Sequence, residues 1–190
     1  MAYNVPTFDV KKITLGPGTI LLGPYNPTAA GGTPSVDVGA VQDNATIVVT
    51  RTVVPILQGV PRREIKAYVA REEMRVTFTG IEWNLTSLFR AVGGGAAPTL
   101  SGAATTWNFG ADPLMTDVAL QYQHVTADGG TVLLRLWKCR GSGELNITIP
   151  TDTLHSFAYT FVGVEGLSDW VNAGLPANGK LFQLVQTSFP

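Results

Sequence analysis

The chain has 190 residues, of which 45% are hydrophobic and only 14% are charged, and its formal net charge at pH 7 is −1. This length suits one domain, residues 1–190, with a real hydrophobic core, and no apolar run reaches the roughly 18–20 residues of a transmembrane helix. The near-neutral balance, without a basic block, gives little electrostatic support to sequence-independent nucleic-acid binding.

Two further expectations follow from composition. Typical soluble domains have roughly 25% charged residues, so the low charge here suggests that other subunits cover much of the surface. A low-charge secreted β-protein would look similar. The amino terminus lacks the basic, apolar and small-residue regions of a signal peptide, so we expect synthesis and folding in a cytoplasm.

Residues 1–35 are rich in proline and glycine, and one short strand, Thr19–Leu22, fits between these breakers. The segment Gly23–Ser35 has few apolar anchors, so we interpret it as an exposed arm or loop that is either mobile or lies on a neighbouring subunit.

The stretch from residue 45 to 95 has the clearest periodicity in the chain. In Ala45–Val54, Thr46, Thr50 and Thr52 share one face while Ile47, Val49 and Val53 share the other. In Glu73–Thr79, Met74, Val76 and Phe78 alternate with polar residues. Both segments are therefore predicted to be half-buried strands.

An apolar loop and a charge cluster lie between these two strands. The loop Pro55–Pro61 reads PILQGVP, and eight charged residues follow within Arg62–Arg75. A solvated strand face is one interpretation; the neighbouring apolar loop favours an electrostatically matched interface. The polar face also changes parity in this stretch, which predicts a bulge or bend near Arg71–Glu73.

A short helix is predicted after Glu82. Its apolar face comprises residues at i, i+3, i+4 and i+7: Leu85, Leu88, Phe89 and Val92. Asn84 is placed to cap the first turn, and Gly93 to end the helix in a left-handed conformation.

Strands dominate the remainder. We predict strands over Thr105–Phe109, Leu114–His124, Thr131–Lys138, Glu144–Ile149 and Leu154–Val164, the last with Phe157, Tyr159 and Phe161 on one face. The predicted fold is mostly β, a sandwich or barrel with one short flanking α-helix.

The sequence contains no pattern that favours catalysis, and we predict no enzyme, no cofactor and no metal site. His124 and His155 lack the spacing of metal-binding motifs, and Cys139 lies in an apolar run that predicts a buried, inert thiol. The four tryptophans, Trp83, Trp107, Trp137 and Trp170, suit core or interface anchors; a sugar-stacking platform is the alternative.

The central stretch, ending in MRVTFTGIEWNLTSLFRAVGGG, resembles bacteriophage major tail tube proteins. Members of that family run from a glycine-led strand, here Gly39–Thr50, through a charged strand to an alternating strand, here Val76–Phe78. An acidic residue and a short Leu-rich helix ending in glycine follow, here Glu82 and Leu85–Gly93. The resemblance covers residues 36–95 well and residues 115–165 loosely.

This resemblance implies a structural virion protein without turnover. Family members form rings, usually hexameric, in which neighbouring subunits complete an inner β-barrel, and the rings stack into a tube through which the genome leaves. The implied partners are other copies, other tail proteins and DNA in transit, with no membrane segment. The implied location is the virion tail, and the host cytoplasm during assembly. Contractile and noncontractile tails are not separated by the sequence, and another tail or baseplate component or a carbohydrate-binding β-sandwich remains an alternative.

Within the resemblance, three sets of residues receive roles. Ring stacking is assigned to the inter-strand loop from Pro55 through Arg63: Pro55, Ile56, Leu57, Gln58, Gly59, Val60, Pro61, Arg62 and Arg63. The candidates for the channel face are even-numbered residues of the two strands: Thr46, Thr50, Thr52, Glu64 and Lys66. The apolar helix face is expected to pack on the sheet and to act in folding.

Overall fold

The computed structural model describes residues 18–25, 34–42, 45–93, 97–110, 115–125, 129–142, 146–152, 154–164 and 181–187. Strands account for 63% of this part of the chain and helix for 6%. The prediction of a mostly β fold with one short helix is therefore confirmed.

Eleven strands and one helix form the described part of the chain. In chain order they are β1 Thr19–Pro24, β2 Val36–Asp37, β3 Thr46–Gln58, β4 Arg63–Gly80, α1 Leu85–Val92, β5 Thr99–Ser101, β6 Ala104–Thr106, β7 Asp117–Val125, β8 Thr131–Gly141, β9 Asn146–Thr148, β10 Ser156–Gly163 and β11 Phe182–Gln186.

Nine of the strands form one antiparallel sheet. Its order is β2-β1-β7-β8-β10-β4-β3, with β11 paired to β8 and β9 paired to β10, while β5 and β6 form a separate hairpin. Residues 36–42 connect two distant parts of this sheet: Val36 and Asp37 pair with β1, whereas Val41 bridges Gly80 at the end of β4. The sheet therefore curls into a barrel-like arrangement around its core.

The core forms on one face of the curled sheet, as the alternation predicts. Met74, Val76 and Phe78 of β4 are buried, and so are the three aromatic residues of β10. The ring of Phe78 stacks on Tyr159 and Phe161, with centroid separations of 5.0 and 6.0 Å. These aromatic pairs join β4 to β10 and add to the stabilisation from apolar burial.

Helix α1 has the predicted caps. The Oδ1 atom of Asn84 accepts a hydrogen bond of 3.1 Å from the Ser87 amide, and the Gly93 amide donates to the Phe89 carbonyl. Gly93 has the predicted positive φ, 71°, although its ψ of −176° is not that of a left-handed helix. Asn84 satisfies one of the free amides of the first turn, which fixes where the helix begins.

The buried face of α1 differs in part from the predicted one. Leu88 and Val92 are buried as predicted, whereas Leu85 and Phe89 are half-buried. Ser87 and Ala91 complete the buried face instead, because the helix approaches β8 very closely at Gly141. Phe89 packs edge-on against Trp107 at 6.1 Å, at the rim of the core.

The exposed segment predicted at Gly23–Ser35 is shorter than expected. Gly23 is buried and, with Pro24, belongs to β1, while the Ser35 amide donates to the Leu22 carbonyl. Gly23 and Pro24 thus belong to the sheet through their pairing with β7, and Ser35 is hydrogen-bonded to β1. Residues 26–33 lie outside the described residues.

Candidate assembly surface

The largest exposed feature is the hairpin of β3 and β4. The two strands pair from Thr46↔Thr77 to Gln58↔Arg63, but β10 pairs with β4 only between Arg75 and Gly80 in the described part of the chain. The distal half of the hairpin, residues 53–69, is exposed at every position. We call these residues the arm.

Two β-bulges shape the hairpin. The pairing shifts between Thr52↔Arg71 and Val53↔Val69, which leaves Ala70 as the extra residue, and shifts again around Ile65. The first bulge lies one residue before the predicted range Arg71–Glu73, and it produces the predicted change in parity. Bulges bend and twist a strand, so the arm changes direction where it leaves the body.

Residues that pair directly across an antiparallel ladder lie on the same face of the sheet, so the register assigns each paired side chain to a face. One face continues the core-facing side of β4 and is mostly apolar; we call it the apolar face. Its residues are Ile47, Val49, Arg51, Val53, Pro55 and Leu57 of β3, and Glu64, Ala67, Val69, Glu72, Met74 and Val76 of β4.

The opposite face carries most of the positive charge of the hairpin, and we call it the basic face. It contains Arg63, Lys66, Arg71 and Arg75 with one acidic residue, Glu73, together with Thr46, Val48, Thr50, Thr52, Val54, Ile56, Gln58, Tyr68 and Thr77. The Glu73 carboxylate lies 2.6 Å from Arg71 and 3.2 Å from Arg75. The Lys66 ammonium lies 4.9 Å from the ring centroid of Tyr68.

The predicted channel-face set is divided by this register. Thr46, Thr50, Thr52 and Lys66 lie together on the basic face, but Glu64 pairs with Leu57 and lies on the apolar face. The even-number rule fails at Glu64 because the bulge at Ile65 inserts one residue between Glu64 and Lys66.

The predicted stacking loop is also shorter than the sequence indicates. Residues Pro55–Gln58 continue β3, and the turn comprises Gly59, Val60, Pro61 and Arg62 alone. Pro55 pairs with Ala67 despite lacking an amide proton, because β3 is an edge strand and a proline is tolerated there. Val60 is wholly exposed at the tip.

Both surfaces of the arm leave apolar side chains in water. Val53 is 53% exposed on one face, Val54 is 50% exposed on the other, and Ile65, Tyr68 and Val69 are similarly exposed. The sequence predicts the apolar loop, but exposure on both faces was not predicted. The signal for this exposure is the run Val53–Leu57, where apolar residues do not alternate with polar ones.

Charge is distributed unevenly between the hairpin and the rest of the chain. Residues 46–80 contain six of the thirteen Lys and Arg residues and three of the fourteen Asp and Glu residues, a net charge of +3. The remaining seven basic and eleven acidic residues give the rest of the chain −4. The hairpin and the remainder of the chain therefore have net charges of opposite sign.

The residues considered for chemistry lie in β7 and β8 and beside Trp83. Cys139 is buried and its thiol donates to the Val118 carbonyl at 3.4 Å, and burial raises the pKa of this thiol. His124 is buried in β7, and His155 accepts a hydrogen bond of 3.1 Å from the indole of Trp83. Among the described residues, no three His, Cys, Asp or Glu side chains are placed to hold a metal ion.

The tryptophans occupy different environments. Trp137 is buried in the sheet, Trp107 is half-buried beside Phe89, and Trp83 is 55% exposed; Trp170 lies outside the described residues.

No helix in the described ranges is long and apolar enough to span a bilayer. In comparisons with known proteins, no family model and no curated protein matches this chain.

Proposed function

We propose that this chain is a structural protein that assembles into rings stacked as a tube, like the phage tail tube proteins that its sequence resembles. The observation that carries the proposal is the arm, a two-stranded ribbon with apolar side chains exposed on both faces. In the proposed assembly the tube is a virion tail and its channel conducts the genome.

The exposed arm favours association for two physical reasons. An isolated two-stranded hairpin is at best marginally stable in water, and each Å² of apolar surface removed from water contributes about 25 cal/mol. A neighbouring subunit against the apolar face would cover Val53, Leu57 and Val69 and continue the core of the sheet beyond its own body.

The free edge of β3 supports the same proposal. This thirteen-residue strand pairs with β4 on one side and has no strand partner on its other side among the described residues. Such an edge pairs readily with another chain, and ring closure gives every subunit the same partner. Edge pairing around a ring would complete the inner barrel that the resemblance implies.

Covering the apolar face turns the basic face toward the water-filled channel. Thr46, Thr50, Thr52 and Lys66 then line the channel, as expected from the sequence, while Glu64 faces the neighbouring subunit. Glu73 offsets part of the charge of Arg71 and Arg75, which limits the attraction for phosphate groups of DNA in transit.

A carbohydrate-binding module is the competing function of a different class, and exposed Trp83 is the residue that favours it. The two functions differ in the behaviour of the purified protein. A tube protein forms rings or tubes in size-exclusion chromatography and negative-stain microscopy, whereas a binding module elutes as a compact monomer that retains oligosaccharides. Monomers at all concentrations tested would contradict the proposed function.

Removing the arm tests whether it is the assembly element. Thr52 pairs directly with Arg71, so residues 53–70 can be replaced by Asn-Gly, a two-residue turn that suits an antiparallel hairpin. We expect a folded, monomeric protein with a far-ultraviolet spectrum of the same β type, because the arm contributes no buried residue to the core. Rings or tubes formed by this variant would overturn the role of the arm.

A matched pair of point variants gives a finer test. Val53 on the arm and Val125 in β7 are 53% and 57% exposed, and threonine has nearly the same shape as valine. Val53→Thr should weaken assembly, measured as a higher critical concentration in sedimentation velocity. Val125→Thr should leave that concentration unchanged. Equal effects of the two substitutions would mean that surface hydrophobicity in general, and not the arm in particular, drives association.

A further inference from the structure

The end of the hairpin opposite the tip carries a groove beside an exposed aromatic side chain. The groove has a volume of about 790 Å³ and is lined by Glu82, Trp83, Asn84, Leu85, Thr86 and Thr105. It lies where the chain leaves β4 and enters α1. We call it the base groove.

Trp83 is held in a fixed position at the base groove. Its indole donates to His155 at 3.1 Å, and its ring meets Phe157 edge-on, with centroids 4.7 Å apart. More than half of its surface nevertheless remains exposed. A rigid, exposed tryptophan requires little ordering on binding and is a frequent anchor of protein interfaces.

One carboxylate, Glu82, lines this groove, and a second, Asp37, lies near it on the other side of Gly39. The Gly39 amide donates to Asp37 Oδ1 at 2.9 Å, and a side chain at Gly39 would overlap Glu82. Gly39 has φ of +93°, a conformation that favours glycine, and its lack of a side chain leaves the space that Glu82 occupies. Both Asp37 and Glu82 are exposed, and they make this end of the hairpin acidic.

The tip of the arm has the complementary chemistry. It presents the exposed side chain of Val60, and the consecutive cations Arg62 and Arg63 follow after Pro61. An arginine side chain can pair with a carboxylate and stack on an indole at the same time, so the tip suits a groove containing Glu82 and Trp83.

A subunit cannot place its own tip in its own groove. β4 has 18 residues, which at about 3.3 Å per residue give a contour length of roughly 56 Å between Arg63 and Gly80, and residues 53–69 are exposed at every position. Tip and groove therefore meet between copies. A contact between opposite ends of identical subunits is heterologous, and it gives an open filament when its rotation does not close a ring.

We infer that the base groove receives the tip of the arm from a second copy of this chain, with Arg62 and Arg63 meeting Asp37 and Glu82 beside Trp83. This inference rests on the proposed function and adds the receiving surface of the contact between successive rings. The lateral contacts within a ring, made by the faces and edge of the hairpin, are separate from it.

Charge reversal at each surface tests the inference. One variant carries Asp37→Lys and Glu82→Lys, and a second carries Arg62→Glu and Arg63→Glu. Each variant alone should form rings that elongate poorly, with the association constant for elongation reduced by about tenfold or more. Mixing the two variants should restore tubes, because the acidic tips of one then meet the basic grooves of the other.

Tube length in negative-stain images and light scattering gives the readout, and melting curves confirm that each variant is folded. Normal tubes from either variant alone, or no recovery in the mixture of two folded variants, would overturn the inference. Wild-type protein that forms no rings would instead contradict the proposed function. Retention of oligosaccharide by wild-type protein, lost in Trp83→Ala while tubes still form, would assign the groove to a sugar and also overturn the inference.

Discussion

Gly141 is the residue at which the helix and the sheet come closest. A methyl group at this position would overlap the carbonyl oxygen of Ala91 in α1, and backbone atoms cannot move away as a flexible side chain would. Gly141→Ala should therefore lower the free energy of unfolding by about 3 kcal/mol, measured by chemical denaturation.

Gly102 provides the control for this substitution. It has φ of +62°, but no atom lies within 4 Å of the position that a methyl group would occupy. Gly102→Ala should cost only about 1 kcal/mol, from backbone strain alone. Equal losses for the two variants would show that close packing at Gly141 does not limit the approach of the helix.

Tyr159 predicts a pH dependence of stability. Burial raises the pKa of its phenol from 10.0 to about 12. Between these pH values the unfolded phenol has lost its proton while the folded one retains it, so unfolding releases a proton. The stability contributed by the Tyr159 phenol is therefore fully present below pH 10 and falls as the pH rises, by at most about 1.4 kcal/mol per pH unit for one proton.

Tyr159→Phe isolates this contribution. The phenol oxygen has no hydrogen-bond partner among the described residues, so the substitution should change stability little at pH 7. Between pH 10 and 12 the variant should lose stability less steeply than the wild-type protein. Some loss should persist, because burial also raises the pKa of the Cys139 thiol. Identical slopes would contradict the assignment to Tyr159.

At the scale of the helix, burial distinguishes two residues that the sequence treats alike. Leu88 is fully buried in the core, whereas Phe89 is half-buried against Trp107. Leu88→Ala should cost about 2–4 kcal/mol and Phe89→Ala about 1–2 kcal/mol, measured from denaturant midpoints. The reverse order would mean that the aromatic cluster at the rim, and not the core, anchors the helix.

Local pattern was sufficient to predict some elements and insufficient for others. The alternation in β10 and in the second half of β4 predicted their buried faces, because each has one face on the core and one away from it. The continuation of β3 through Pro55–Gln58 was missed, since two prolines and a glycine normally indicate a loop and the sequence does not show that β3 is an edge strand.

The bulges explain why the candidate site was predicted only in part. The parity change near Arg71 is visible because charged residues mark both sides of it, and the bulge at Ala70 follows from that change. The bulge at Ile65 leaves no such mark, because the charged residues Glu64 and Lys66 keep the same parity across it. Sequence alone therefore grouped Glu64 with Lys66, whereas the register places the two residues on opposite faces of the hairpin.

At the scale of the whole molecule, the arm and the rest of the described structure differ in how much apolar surface they expose to solvent. The body has a closed core and one curled sheet, whereas the arm exposes apolar groups on both faces and a free strand edge. The hairpin is also positively charged and the remainder negatively charged. In the proposed assembly, other copies of the chain supply the surfaces that the arm lacks.

Amide hydrogen exchange along β3 tests this claim most directly. The protein would be compared in its assembled form and in a dilute, dissociated form, with the exchange of residues 46–58 followed by mass spectrometry. We expect strong protection of this strand on assembly, because edge pairing and burial cover its free amides, while strands of the core such as β8 change little. Assembled particles in which β3 exchanges as fast as in the dissociated protein would contradict the account.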